Sequence, residues 1–213
     1  MDTAETLAGL VRSHGDGRER VIVAIAGAPG SGKSTLAEAL VDMLEAGEKG
    51  SAALFPMDGF HFDDLHLVPA GHRARKGAPE TFDVGGYAAT LRRIRARDEP
   101  FVAVPVFDRS IEIARAGARL IPRSVRFVVT EGNYLLLDRP PWSDLAGLFD
   151  LTVFLQVPET ELERRLVQRW LAHGHAEAEA LEKALGNDIP NARLVARGSK
   201  PADITVAQDG GAA

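Results

Sequence analysis

The chain has no cysteine, which removes disulfides, thiolate metal sites and cysteine nucleophiles together and fits a reducing compartment. Aromatic residues are scarce, at 6%. Positive charge is in deficit: 25 Lys and Arg stand against 30 Asp and Glu, a net charge of −5, so nucleic acid is not an expected partner. Long apolar runs are missing as well. The longest, Val21 to Ala28, falls far short of the ~20 residues a membrane helix needs. The opening Met1-Asp2-Thr3-Ala4-Glu5 has neither the basic flank nor the apolar core of a signal peptide. A cytoplasmic protein without a membrane partner is the expectation.

What remains is ordinary globular composition, 45% hydrophobic and 26% charged over 213 residues, enough for a single domain spanning 1–213. Leu7, Leu10 and Val11 predict a short amphipathic helix near the start. Val21 to Ala26 is a continuous apolar run, the mark of a strand buried on both faces. Further apolar runs at Ala53–Met57, Arg126–Thr130, Leu151–Val157 and Ile204–Val206 bring the count of predicted strands to five. Helical spacing appears at Lys33–Glu45, Tyr87–Arg97, Glu159–His173 and Ala176–Leu185. Alternation of this kind predicts an α/β fold with a doubly wound, mostly parallel sheet and helices on both faces. Val102 to Pro122 reads as a hairpin-like excursion, and 208–213 as a loose tail.

Gly27-Ala28-Pro29-Gly30-Ser31-Gly32-Lys33-Ser34 fits the phosphate-loop pattern G-x4-G-K-[ST] in full, between the first strand and the helix after it. Its glycines let backbone N–H groups turn inward around phosphate oxygens, and the helix N-terminus adds positive potential. The expected phosphate contacts are Gly27, Ala28, Gly30, Ser31, Gly32, Lys33, Ser34 and Thr35. Lys33 is placed on the β- and γ-phosphates and the Ser34 hydroxyl on Mg²⁺. A nucleoside triphosphate with Mg²⁺ is the predicted ligand, and the fold becomes a three-layer P-loop NTPase.

Asp58 and Glu131 close the second and third apolar runs. In a parallel sheet they share an edge with the phosphate loop. One can hold Mg²⁺ with Ser34 while the other accepts a proton from an attacking hydroxyl. A GTPase is disfavoured, because no asparagine begins the guanine-reading N-K-x-D.

These residues, with Met57-Asp58-Gly59-Phe60-His61, Arg75-Lys76-Gly77-Ala78-Pro79-Glu80-Thr81-Phe82-Asp83, Pro105-Val106-Phe107-Asp108 and Val129-Thr130-Glu131-Gly132, resemble the uridine kinase-like and pantothenate kinase-like P-loop kinases, which include phosphoribulokinase. The resemblance runs from Val21 to Val206 and looks most like a bacterial subgroup labelled fructose transport kinases or nucleoside/nucleotide kinases. It implies transfer of the γ-phosphate of ATP to a hydroxyl of a small molecule. A sugar such as fructose comes first, with pantothenate, a nucleoside or an ATP-binding regulatory role as alternatives. It implies Asp58 as base, Glu131 assisting the metal, and His61, Arg75, Asp83, Phe107 and Glu131 beside Asp58 around the acceptor. Asp83 also reads as the N-cap of the next helix. Arg165 and Arg169, one helical turn apart, resemble lid arginines that close over the triphosphate, with the lid at about 165–186. Homodimers are implied by relatives. The chain departs from uridine kinases after Asp108, where it runs Arg109-Ser110-Ile111-Glu112 instead of supplying a histidine.

Overall fold

The computed structural model describes residues 3–208. Its centre is β1 (Val21–Gly27), every residue of which is buried. Side chains alternate across a strand, so the run feeds two cores. Val21, Val23 and Ile25 pack with Leu7 and Val11 of α1 (Thr3–His14) and with Leu40 and Leu44 of α2 (Lys33–Gly47). Ile22, Ala24 and Ala26 face the opposite layer, with Tyr87, Leu91 and Ile94 of α4 (Val84–Ala96), which follows the one-turn α3 (Asp64–Leu67) in the chain. Each fully buried Val, Ile or Leu contributes roughly 1.5–3 kcal/mol. A strand serving two cores therefore tolerates no polar residue.

The five strands predicted from sequence form one sheet, wholly parallel. β2 (Ala52–Pro56) pairs with β5 (Phe127–Gly132), β5 with β1, β1 with β6 (Leu151–Gln156), and β6 with β7 (Ile204–Ala207). The excursion is an antiparallel ribbon of β3 (Phe101–Asp108) and β4 (Ile113–Pro122), separate from the main sheet. It leans on the turn at 57–60, where Gly59 makes the approach feasible: a Cβ there would sit 2.5 Å from the Pro105 carbonyl oxygen.

Two expectations need correction. The pattern at 176–185 continues further than predicted: α5 (Glu159–Ala172) leads to α6 (Glu177–Lys183), a π-turn at Ala184–Asp188, and a further helix α7 (Ile189–Gly198). Pro190 hides α7 in the sequence, yet it occupies the first helical turn, where the missing N–H costs nothing. The tail at 208–213 lies outside the described residues except for Gln208, which is not loose. Its amide donates to the Gln156 carbonyl at 2.9 Å, and its side-chain oxygen accepts from Arg165. Among the described residues no helix is long and apolar enough to cross a membrane.

Candidate active site

The sheet register explains why distant residues meet. Glu131 on β5 stands opposite Ile25 of β1 on one side and Pro56 of β2 on the other. Asp58 follows Pro56 by two residues and the phosphate loop follows β1, so both open on the edge where Glu131 sits. In the loop, Gly30 and Gly32 take φ of +78° and +86°, left-handed values that residues with a Cβ adopt only at a cost. The N-terminus of α2 has no side-chain cap, which leaves first-turn N–H groups for an anion. The Ser31 hydroxyl is buried without a protein partner.

Lys33 is buried within reach of the charges of both carboxylates. Burial pushes its ammonium below the ordinary lysine range, against the pull of Glu131 and Asp58. Burial pushes the Glu131 carboxyl up to about 7, opposed by Lys33 and by a hydrogen bond with Ser34. At Asp58 burial acts in the same upward sense, but the charges of His61, Arg109 and Lys33 outweigh it and hold the carboxyl below the usual range. Two acids at one edge are thus driven apart, one toward the neutral form and one toward the charged form.

Arg109 leaves the end of β3 at the ribbon's tip and donates from Nη2 to Asp58 Oδ2 at 2.5 Å. The tip is held by Asp108, which accepts from the Ser110 amide at 3.1 Å and hydroxyl at 2.6 Å. His61 packs against Phe82 and Phe107, with ring centroids 4.0 and 4.6 Å away, and its Nδ1 is 2.8 Å from the Asp58 carbonyl oxygen. Burial lowers the His61 imidazole pKa, against the pull of the Asp58 carboxylate. Lys76 and Arg109 sit over the Phe107 ring, 5.5 and 5.7 Å from its centroid.

These groups line a cavity of about 530 Å³ together with Lys33, Arg169 and Asn133, a volume that holds a nucleotide or a small acceptor comfortably. On α5, Arg169 donates to Asp188 at 3.0 Å, and the Trp170 indole N–H joins the same carboxylate at 2.8 Å. Arg165 lies along the loop's flank, bonded to Glu161 at 2.6 Å and Gln208 at 2.9 Å, with the Ser31 carbonyl at 3.5 Å. Arg164 joins Glu161.

Of the residues predicted for the acceptor, the fold brings together Asp58, His61 and Phe107 on the cavity wall and Glu131 on the adjoining strand end. Two stand apart. Asp83 is exposed and caps α4, accepting from the Gly86 amide at 2.8 Å, so its helix-capping reading describes what it does here. Arg75 is half exposed and pairs with Glu80 at 2.8 Å, whereas its neighbours Arg73 and Lys76 face the cavity. Arg109 was legible only as a departure from a motif. What marks it is position, the first residue beyond Pro105-Val106-Phe107-Asp108 at a turn.

The donor set suits Mg²⁺. Ser34 and Glu131 are hard oxygen ligands already in contact, and this ion commonly takes one or two carboxylates and completes its shell with phosphate oxygens and water. Among the described residues no cluster of three or more His, Cys, Asp or Glu would bind a metal without them.

No family model matches the chain. It is 33% identical over 198 residues to a "putative uridine kinase" of Schizosaccharomyces pombe, covering 90% of this chain and 84% of the relative. A pantothenate kinase of Sorangium cellulosum is 29% identical over 158 residues, 73% of this chain and 51% of the relative. Among solved structures, a "putative fructose transport system kinase" from Silicibacter sp. TM1040 aligns with 97% of this chain and 100% of its own, at 45% identity and a TM-score of 0.87. The chain therefore belongs to the P-loop kinases of the uridine kinase, pantothenate kinase and phosphoribulokinase superfamily.

Proposed function

We propose that this chain transfers the γ-phosphoryl group of ATP to a hydroxyl of a small polyhydroxylated acceptor of the sugar class, for which fructose is the first candidate. The observation that carries the reading is the convergence of Lys33, Asp58 and Glu131 at the sheet edge where the uncapped α2 begins. The fructose candidacy comes from the name borne by the 45% identical structure.

In this reading the first-turn amides of α2 and Lys33 hold the β- and γ-phosphates. Asp58, kept ionised by its cationic neighbours, takes the proton of the acceptor hydroxyl. The acceptor oxygen forms its bond to the γ-phosphorus as the bond from that phosphorus to the β–γ bridging oxygen breaks, and ADP leaves. Arg169 and Arg165 approach from the lid and flank and neutralise charge on the moving group. Ser34 and Glu131 are the residues that would hold Mg²⁺, which supplies further neutralisation of the phosphates when bound.

The test is ADP release from Mg-ATP with and without candidate acceptors: sugars, pantothenate and nucleosides. Acceptor-dependent release that falls about 10²–10⁴-fold in Asp58→Asn, with ATP affinity retained, is the expected result. ATP binding with no acceptor-dependent release from any class would favour a regulatory nucleotide-binding role instead.

A further inference from the structure

Asp58 is proposed as the base, yet its Oδ2 is occupied. Arg109 reaches it from the ribbon tip at 2.5 Å. An acceptor hydroxyl must replace a guanidinium that is charge-paired and hydrogen-bonded there. A neutral hydroxyl competes poorly for that position. The contact yields when something else satisfies the guanidinium.

The wall around Arg109 is built for an anion. Lys76 Nζ, with 6% of its side chain exposed, is fixed by Asp64 at 2.8 Å and by the Glu112 carbonyl at 2.7 Å. Arg73 draws on the same Asp64 at 2.6 Å, so two cations share one carboxylate. Lys76 and Arg109 sit over the Phe107 ring, which joins them in one cluster. Arg73, Lys76 and Arg109 all line the cavity. The carboxylates lining the cavity are Asp58, which the reaction must free, Glu112 on the exposed ribbon turn, and Glu179, Glu182 and Asp188 of α6 and the π-turn, the last already held by Arg169 and Trp170.

We propose that the acceptor carries a carboxylate or phosphate, and that this anion draws Arg109 off Asp58 and seats between Arg109, Lys76 and Arg73. The inference rests on the kinase reading and narrows its acceptor from a free sugar to a sugar phosphate or a polyhydroxy acid. Arg109 then has two functions: it covers the base while the acceptor is absent and selects acceptors by charge. Asn133, whose side-chain oxygen is buried without a protein partner at the cavity wall, is placed to meet a hydroxyl of the same molecule.

The experiment uses matched acceptors: fructose against fructose 1-phosphate and fructose 6-phosphate, and glycerol against glycerate. Both anionic sources are thereby tried separately. For the productive pair, kcat/KM is expected to favour the anion at least about 100-fold, the scale of one strong charge-assisted contact. In Arg109→Gln that ratio should fall below about tenfold, and Arg109→Lys should restore part of it. A neutral acceptor used as well as its anionic partner, or a ratio unmoved in Arg109→Gln, overturns the proposal. A second readout needs no turnover. Inorganic phosphate and glycerate are titrated calorimetrically into protein loaded with Mg²⁺ and a non-hydrolysable ATP analogue, which fills the γ-phosphate position. Binding weakened at least about tenfold in Arg109→Gln, with analogue affinity within twofold, supports the anion site. Equal binding in both proteins, or none in the wild type, refutes it. If no acceptor of any kind releases ADP while the anion binds through Arg109, the kinase reading fails and the anion site stands.

Discussion

The side-chain amide of Asn187 donates to the main-chain carbonyl of Lys76 at 3.1 Å, across 111 residues of sequence. One partner belongs to the π-turn that carries Asp188, the residue holding Arg169 and Trp170. The other belongs to the wall over Phe107. A neutral hydrogen bond therefore joins that turn to the wall over Phe107, and such a bond ordinarily contributes about 0.5–1.5 kcal/mol.

Asn187→Ala should raise KM for ATP and for the acceptor together, by about 2- to 10-fold each, because the lid is common to both. Steady-state kinetics with each substrate varied in turn checks this. A change confined to one substrate would mean the bond serves only that side.

Lys33→Ala should weaken ATP binding and lower turnover by about 10²–10³-fold, the usual loss when a group aimed at developing charge is removed. The variant also leaves Asp58 and Glu131 without the cation near them, so folding must be checked by circular dichroism. Unaltered ATP affinity and turnover in a folded variant would remove Lys33 from the phosphate site.

A stability prediction concerns the core under the site. The Tyr87 hydroxyl and the Thr130 hydroxyl lie 2.6 Å apart, both fully buried. Tyr87→Phe leaves Thr130 unsatisfied and should cost about 1–3 kcal/mol, whereas Tyr87→Phe combined with Thr130→Val should recover part of that loss. Urea unfolding of the single and double variants reads both quantities.

Glu161 provides the pH test. Hydrogen bonds from Arg164 and Arg165 hold its carboxyl at about 2, below the ordinary 4.5. A depressed folded-state pKa contributes stability that is complete above the unfolded value and lost as pH falls through the folded one. Its share should thus fade between pH 4.5 and 2. In Glu161→Gln the melting temperature should change less steeply over that interval than in the wild type, and identical slopes would refute the assignment.

Framework and chemical centre can be read from the residues alone. Val21 to Ala26 announced a strand with two buried faces because both faces demand apolar side chains, and Gly30, Gly32 and Lys33 announced a phosphate loop because the turn and the charge each require those residue types. Asp58 and Glu131 were legible because strand ends in a parallel sheet share one edge. The tertiary structure decided what depends on approach between remote segments. Arg109 reaches Asp58 only because the ribbon folds over Gly59, a contact that no local pattern encodes. Asp83 and Arg75 were expected beside the acceptor, whereas in the fold Asp83 caps α4 and Arg75 pairs with Glu80. The helix that Pro190 opens is not among those the sequence predicts. Periodicity reports which side of an element is buried. It does not report which partner claims a polar side chain, and that competition settled the composition of the cavity wall.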